Sequence, residues 1–165
     1  MNNVKLNGDL VSLAGQLPII GSTAPYFVLT ANDLSQVTLQ DFVGKKKILN
    51  VFLSIDTPVC AASTRKFNEI AVSHADTIVL TISADLPFAQ ARFCAAEGIE
   101  NVKTLSTFRS GNFARDYGLE IVSGPLIGLC TRAVIVLDEM NIVKHVQLVA
   151  EITSEPNYSQ VLAAL

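Results

Sequence analysis

The stretch ILNVFLSIDTPVCAASTRKFNEIA, which spans residues 48–71, carries a strand pattern and a helix pattern joined by a short loop. Residues 48–53 are almost continuously apolar, which is typical of a strand that is covered on both faces. Residues 58–71 have apolar side chains at helical spacing, and Thr57 and Pro58 are favoured types for the N-cap and the first helical position. The stretch therefore predicts a buried strand that leads through a loop into a helix.

The same alternation of strand and helix patterns continues beyond this stretch. Residues 77–83 predict a second buried strand, residues 87–97 a helix that ends at Gly98, and residues 102–106 a third strand. A β-α-β-α-β order brings successive strands side by side in the same direction. These elements therefore predict a parallel core.

Further elements are predicted on either side of this core. In residues 1–14 the Asn7-Gly8 pair indicates a hairpin, because both residues tolerate the positive φ of a type I′ turn. The others are a solvated turn at residues 45–47, a short helix over 111–117 before Gly118, an antiparallel hairpin of strands 133–137 and 142–149, and a terminal helix over 157–165. Together they predict one domain over residues 1–165 of class α/β. Its architecture is a thioredoxin-like sandwich, with a mixed central sheet flanked by helices and an N-terminal β-hairpin.

Composition and charge exclude several classes of protein. Hydrophobic residues make up 50% of the chain, yet no apolar run approaches the roughly 20 residues that a membrane span needs. With 12 Lys and Arg against 15 Asp and Glu, the net charge of −3 provides no basic field for nucleic acid. Residues 1–13 lack the pattern of an export signal, and three cysteines are too few for a disulfide scaffold. A cytoplasmic protein without nucleic-acid or membrane partners is therefore expected.

Cys60 lies at the third position of the first predicted helix, just after the buried strand. Free N–H groups and the positive end of the helix dipole favour an anion there, and cysteine pKa values at helix N-termini fall from about 8.5 to between roughly 3.5 and 7.5. Ligand sites of parallel sheets also lie beyond the strand ends. Cys60 is therefore predicted to be a reactive thiolate. The alternative is a buried cysteine that only fills apolar space.

Four motifs make the chain similar to a known family, the bacterial thiol peroxidases, which are two-cysteine peroxiredoxins with both cysteines in one chain. The motifs are DTPVC (residues 56–60), RKFN (65–68), SADLPFAQARFC (83–94) and TRAVIVLD (131–138). The similarity covers nearly the whole chain, and the motif that ends in Cys94 is its most specific part. The resemblance implies a thioredoxin-like fold of the peroxiredoxin type. It also implies reduction of hydrogen peroxide and organic hydroperoxides. No cofactor is expected, because the glycines are scattered and form neither a G-x-G-x-x-G motif nor a P-loop.

The resemblance further implies a role for each matching residue. Cys60 attacks the peroxide and becomes a sulfenic acid, Cys94 converts it into an intrachain disulfide, and thioredoxin restores the dithiol. Thr57 supplies a hydroxyl and Arg132 a positive charge beside the thiolate. Members of the family are commonly homodimers, so a homodimer is expected. At the first position of the family's P-x-x-x-T-x-x-C motif this chain has Leu53 instead of proline, which alters the pocket.

Cys94 lies on a different predicted helix from Cys60, 34 positions further along the chain (94 − 60). A disulfide needs Cα atoms within about 7 Å of each other, which two separately packed helices do not ensure. Local unwinding of one or both helices is therefore expected in each reaction cycle.

A lowered pKa alone does not explain fast peroxide reduction. Full ionisation raises the thiolate fraction at pH 7 roughly 30-fold over that of a thiol with a pKa of about 8.5, whereas the accompanying loss of nucleophilicity is roughly 10-fold. Because these effects nearly cancel, most of the rate must come from donors placed where charge develops on the departing oxygen. Thr57 and Arg132 are the residues expected to provide them.

Other interpretations fit parts of the sequence. Without the resemblance, Arg132 would be interpreted as a strand-edge arginine that points to solvent. Cys130 is either an apolar filler or, on the same side of an extended chain as Arg132, a second oxidation site. The alternative function is a non-enzymatic thiol redox sensor or a thioredoxin-like interaction protein. A cysteine hydrolase would need His74 or His145 as its base, and the isolated cysteines do not indicate a zinc site.

Overall fold

Strands and helices alternate along most of the chain in the computed structural model, which describes residues 2–165. Met1, the first residue of the predicted hairpin segment, lies outside the described residues. A 3₁₀ turn, Leu39–Phe42, lies between the fourth and fifth strands. The strands and α-helices are, in chain order, β1 (Asn3–Leu6), β2 (Asp9–Ala14), β3 (Leu29–Ala31), β4 (Gln36–Val37), β5 (Lys46–Val51), α1 (Pro58–Ser73), β6 (Thr77–Ser83), α2 (Pro87–Glu97), β7 (Val102–Ser106), α3 (Phe113–Asp116), β8 (Glu120–Ile121), β9 (Ala133–Leu137), β10 (Val143–Leu148) and α4 (Tyr158–Ala163).

Seven of these strands form a mixed sheet in the order β10-β9-β5-β6-β7-β3-β4. β5, β6 and β7 run parallel. β9 and β3 pair antiparallel with β5 and β7, and the edge strands β10 and β4 pair antiparallel with β9 and β3. The predicted parallel core and the late antiparallel hairpin are thereby confirmed, as are the bounds of β6, β7 and β9 and of α2. The architecture is the predicted thioredoxin-like α/β fold with a mixed central sheet.

Both faces of the central sheet are covered. α1 and α2 lie on the same face, because the spatial order β5-β6-β7 follows the chain order and such crossovers are right-handed. Ile48 packs on that face with Phe67 and Ile70 of α1, whereas its neighbour Leu49 packs in the core on the opposite face. Alternation along β5 thus explains why the strand is apolar almost throughout.

The N-terminal hairpin pairs β1 with β2, and β8 extends it to a second, three-stranded sheet. Asn7 and Gly8 have φ values of 52° and 90°, so the predicted positive-φ turn is confirmed. The Glu151 carboxylate accepts hydrogen bonds from both of their N–H groups at 3.0 Å. The turn is therefore fastened to the segment that follows β10.

The prediction of a solvated lysine turn at residues 45–47 is confirmed for Lys45, which is exposed in a bend, and wrong for the next two lysines. Lys46 and Lys47 begin β5, and the Lys47 side chain is buried. Its ammonium donates to the carbonyl oxygens of Asp138 and Glu139 at 3.3 and 3.5 Å, and burial lowers the pKa of this lysine. Two carbonyl groups from the β9–β10 turn thus replace the water that would otherwise hydrate the ammonium. A charge pattern in the sequence does not reveal such partners.

The remaining differences from the predictions concern boundaries and very short elements. The first core strand spans Lys46–Val51 rather than residues 48–53, and α3 spans only Phe113–Asp116 rather than residues 111–117. No sequence pattern predicts β3, β4 or β8, because two or three residues are too few to show a period.

Gly15 and Gly118 allow two chain segments to cross at close range. Their φ values are +88° and +69°, in the region that favours glycine. A Cβ at Gly15 would overlap the carbonyl oxygen of Arg115, and a Cβ at Gly118 would overlap the backbone of Gln16. The crossing holds the end of β2 against the turn between α3 and β8.

Gly15→Ala is expected to destabilise the protein by about 3 kcal/mol, because the strain of a positive φ adds to an overlap with backbone that cannot move freely. Gly21→Ala is the matched control, since Gly21 has a φ of +89° but no atom within 4 Å of the added Cβ. This control should lose only about 1 kcal/mol. Urea unfolding of both variants measures the difference, and equal losses would contradict the close crossing.

Candidate active site

The loop after β5 and the first turn of α1 carry the central cysteine. Thr57 is the N-cap, with φ and ψ of −92° and 144°, and Pro58 follows in the first turn, as predicted. Cys60 is therefore in the first turn of a 16-residue helix, at the carboxyl end of a central strand. Its side chain is buried, with 0% exposed, in an apolar cluster that also contains Leu53 and Ile152.

Arg132 is the residue just before β9, and its side chain contacts this cysteine. Its Nη2 lies 3.1 Å from the Cys60 Sγ, and its Nε donates to the carbonyl oxygen of Ile152 at 3.1 Å. The arginine is only 1% exposed, so the interpretation as a solvent-directed strand-edge residue is wrong. Nη1 of the same guanidinium is buried and has no hydrogen-bond partner.

The Thr57 hydroxyl does not bind a backbone N–H of the first helical turn, as the side chain of a capping residue usually does. It makes no side-chain cap and instead donates to the carbonyl oxygen of Ser54 at 2.9 Å. Its lone pairs remain able to accept a hydrogen bond. Thr57 lines the same cavity as Arg132, so the structure brings these two predicted residues together.

This cavity has a volume of about 230 Å³ and lies beside Arg132 and Thr57. Leu53, at the position where the family motif has proline, forms part of its wall and is 6% exposed. Cys60 does not line the cavity but lies next to it, in contact with the arginine that does. The other residues around the cavity are mostly apolar: Leu6, Pro58, Val59, Leu126, Ile152 and Thr153.

Asp85 joins the site loop to the beginning of α2. Its carboxylate accepts hydrogen bonds from the Ser54 hydroxyl at 2.7 Å, the Ile55 N–H at 2.7 Å and the Ser83 hydroxyl at 2.6 Å. No prediction assigns Asp85 a role. The usable signal was its position just after β6, because the ends of neighbouring parallel strands meet at one edge of the sheet.

Cys94 is not brought to Cys60 in this state, and all three cysteines are free thiols. Burial raises the pKa of the Cys94 thiol, and the nearby hydroxyl of Thr104 opposes this shift. Thr104 lies on β7, two strands away from β5, which corresponds to a separation of about 10 Å at roughly 4.8 Å per strand. The expected need for local unwinding therefore agrees with this geometry.

Cys130 packs away from the cysteine of the site. It lies in the main core with Tyr117 and Leu119, whereas Cys60 belongs to another cluster. The Cys130 side chain is buried, and this burial, with a smaller effect of Glu120, raises the pKa of its thiol to about 12. A protonated, buried thiol favours the filler interpretation over that of a second oxidation site.

The described part of the chain, residues 2–165, contains no group of three His, Cys, Asp or Glu residues that could hold a metal ion. In the same residues no helix is both long and apolar enough to cross a membrane. His74 ends α1, roughly 20 Å along the helix axis from Cys60 at about 1.5 Å per residue. It is therefore not placed to act as a base on that cysteine.

Comparisons with known proteins agree with this architecture. The Redoxin family model matches residues 19–162. A thiol peroxidase of Mycobacterium bovis is 48% identical over 165 residues, which cover 100% of this chain and 99% of the relative. The solved structure of a peroxiredoxin-like protein from Aquifex aeolicus has a TM-score of 0.93 at 39% identity, with 99% of this chain and 95% of the other covered. A thiol peroxidase from Chromobacterium violaceum has the same fold, with a TM-score of 0.91 at 24% identity and coverage of 98% and 93%.

The protein thus has the fold of a peroxiredoxin, a class in which a thioredoxin-like sheet presents a cysteine at the start of a helix. The chain belongs to the Redoxin family and, within it, to the bacterial thiol peroxidases. The resemblance inferred from the four motifs is therefore confirmed.

The raised pKa of the buried Cys130 thiol predicts that the stability of the protein depends on pH. In the unfolded chain its thiol ionises near pH 8.5, whereas the folded protein keeps the proton until about pH 12. Between these values the unfolded state binds fewer protons, so stability falls as the pH rises. In Cys130→Ala this contribution is absent. Relative to that of Cys130→Ala, the free energy of unfolding of the unaltered protein should therefore fall by about 2 kcal/mol between pH 8.5 and 10. Urea unfolding in the presence of a reductant measures it, and a constant difference would contradict the assignment.

Proposed function

We propose that Cys60 is the peroxidatic cysteine of a thiol peroxidase and that Arg132 and Thr57 hold the peroxide beside it. Thiol-dependent reduction of peroxides is the activity of the family to which the chain belongs. The observation that carries the proposal is the Arg132 guanidinium, which contacts the Cys60 Sγ through Nη2 and has Nη1 buried without a partner. Because a buried donor without an acceptor is costly, Nη1 is suited to a ligand oxygen.

The first step transfers two electrons from sulfur to the peroxide. The Cys60 thiolate attacks one peroxide oxygen, an S–O bond forms as the O–O bond breaks, and the sulfur becomes a sulfenic acid. The second oxygen leaves with the electron pair and takes up a proton, giving water or an alcohol. Arg132 stabilises the negative charge on this oxygen, which is the contribution that raises the rate most. Thr57, whose proton is used on Ser54, accepts a hydrogen bond from the peroxide O–H.

The cavity of about 230 Å³ is the proposed peroxide site. Its apolar wall, which includes Leu53, accommodates the organic part of a hydroperoxide, and Arg132 supplies a positive charge in the cavity lining. One arginine borders both the cavity and the sulfur, so a peroxide held by Arg132 in the cavity lies close to the Cys60 Sγ.

Cys94 is proposed to resolve the sulfenic acid. Its sulfur attacks the Cys60 sulfur, an S–S bond forms, the S–O bond breaks, and the oxygen leaves as water after taking up a proton. The raised pKa of Cys94 keeps this thiol protonated while α2 is folded. Exposure by unwinding of the helix then makes it more reactive.

Thioredoxin is the proposed reductant, and the cytoplasm the proposed compartment. A dithiol reductant fits a family that cycles through a disulfide, and three free thiols fit a reducing compartment. We further propose a homodimer, for which the exposed side chains of Tyr26, Phe88 and Phe108 offer apolar surface. Sedimentation velocity at micromolar concentration tests the oligomeric state.

Steady-state consumption of peroxide, coupled to thioredoxin and its reductase, tests the cycle. The unaltered protein should complete many turnovers. Cys60→Ser should show none, and Cys94→Ser should react once and then stop, because its sulfenic acid has no partner in the chain. Cys130→Ser is the matched control and should retain turnover. A single stoichiometric oxidation of the unaltered protein would instead indicate a redox sensor.

Arg132→Met is expected to lower the rate of Cys60 oxidation roughly 100- to 1000-fold, the loss typical of removing one donor from a preorganised site. The fold should persist, because a methionine of similar length fills the space left by a buried charge. Arg109→Met is the control, since Arg109 is an exposed arginine outside the cavity. Stopped-flow measurement with one equivalent of peroxide gives the rates. A loss of less than 10-fold would remove Arg132 from the proposed mechanism.

A further inference from the structure

The helix that carries Cys94 is held unevenly along its length. In α2 the buried residues are Pro87 and Gln90, both in its first half. The Gln90 side chain donates to the Ser83 hydroxyl at 3.1 Å and to the carbonyl oxygen of Leu105 at 3.0 Å. The beginning of α2 is thus anchored to the ends of two central strands.

The second half of α2, residues 91–97, contains no buried residue. It ends at Gly98 in the left-handed conformation, and just beyond it the Asn101 N–H donates to the Asn68 side chain of α1 at 2.8 Å. Both flanks of this half are therefore fixed. Between them, Phe93 and Cys94 are only half-buried, with Phe93 packed against the cluster that contains Cys60. Segments of this kind open locally at low cost in free energy.

Arg65 of α1 makes the strongest polar contacts with this half. Its Nε lies 2.7 Å from the Glu97 Oε2, and its guanidinium carbon lies 6.0 Å from the centre of the Phe93 ring. A second ion pair, Arg92 with Asp56, is longer, at 3.3 Å, and both of its side chains are more than half exposed. Arg65 is thus the residue of α1 that joins two positions of α2 on either side of Cys94.

We propose that Arg65, Phe93 and Glu97 form a clasp that keeps the second half of α2 helical and so sets the rate at which Cys94 reaches Cys60. The inference rests on the proposed function. It concerns only the step in which the Cys60 sulfenic acid and the Cys94 thiol condense to a disulfide and water. Arg65 is in this sense a positioning residue, and it does not take part in the attack on peroxide.

The direction of the effect follows from the location of Cys94. While the clasp is closed, Cys94 lies near Thr104 of β7, away from the site. Each transient opening allows the two sulfurs to meet, so weakening the clasp should speed the condensation. An exposed ion pair and a cation–π contact each change such an equilibrium by a few-fold, and loss of both should raise the rate about 5-fold.

Arg65→Met and Glu97→Gln test the clasp, with Lys66→Met as the matched control. Lys66 is the neighbouring exposed cation, and its ion pair with Glu69 at 3.3 Å stays within α1. After one equivalent of peroxide, samples are quenched with acid and alkylated, and mass spectrometry follows sulfenic acid and disulfide with time. Disulfide formation should be about 5-fold faster in Arg65→Met and about 2-fold faster in Glu97→Gln. It should be unchanged in Lys66→Met.

Two further measurements separate a clasp from a general loss of stability. Added salt screens the ion pair, so it should speed disulfide formation in the unaltered protein but not in Arg65→Met. With excess peroxide, Arg65→Met should form less sulfinic acid at Cys60, because faster condensation leaves less sulfenic acid to be oxidised again. The rate of sulfenic acid formation should stay the same in all variants.

Equal or slower disulfide formation in Arg65→Met, relative to Lys66→Met, would overturn the clasp. Failure of the proposed function has a different outcome, since the unaltered protein would then form no sulfenic acid at Cys60 or no disulfide between Cys60 and Cys94. Circular dichroism of each variant before oxidation checks that the fold is intact. Arg65→Lys keeps the charge, and its rate should lie between those of the unaltered protein and Arg65→Met.

Discussion

A guanidinium buried against a sulfur atom is the interaction on which the rest of this structure depends. Burying a charge costs several kcal/mol unless partners replace water, and Arg132 is only 1% exposed. Its partners are the Ile152 carbonyl oxygen and the Cys60 Sγ, with Nη1 left unpaired. These groups come from the beginning of β9, the segment after β10 and the first turn of α1. Their positions are therefore set jointly, and one donor of the guanidinium is left buried without an acceptor.

This interaction also explains why a hairpin outside the central sheet matters to the site. The Ile152 N–H donates to the Lys5 carbonyl oxygen at 2.8 Å, and Glu151 holds the hairpin turn. The hairpin thereby places Leu6 over the cavity next to Arg132. The Asp85 carboxylate fixes the loop that leads to Thr57, which is another residue of the cavity wall. A cavity between these elements keeps its shape because hydrogen bonds to backbone groups, rather than packing alone, hold both walls.

The roles proposed for the two cysteines have opposite structural requirements, and the chain meets them in different ways. Attack on a peroxide benefits from donors held rigidly in place, and Cys60 accordingly lies in a buried cluster with its arginine. Formation of a disulfide requires the second thiol to travel, and Cys94 is only half-buried, in a part of α2 without a fully buried side chain. Leu53, which replaces the proline of the family motif, belongs to the rigid part, where it packs with Cys60 and forms cavity wall. The substitution therefore changes the wall of the cavity, while the contact between arginine and sulfur is made without the proline ring.

Local sequence patterns determined most of the secondary structure and the parallel core of this protein. The apolar runs of β5 and β6, the Asn7-Gly8 turn and the Thr57-Pro58 helix start each depend on residues close together in the chain, so the strands, helices and parallel core follow from them. The partnership of Arg132 with Cys60 spans 72 positions and was accessible only through the resemblance, since a strand-edge arginine by itself indicates solvent. Burial of Lys47 and the hydrogen bonds of Asp85 were decided by the tertiary structure. The physical reason is the same in each case: the energy of a charged or polar side chain depends on which distant groups surround it, and only the folded chain brings those groups together.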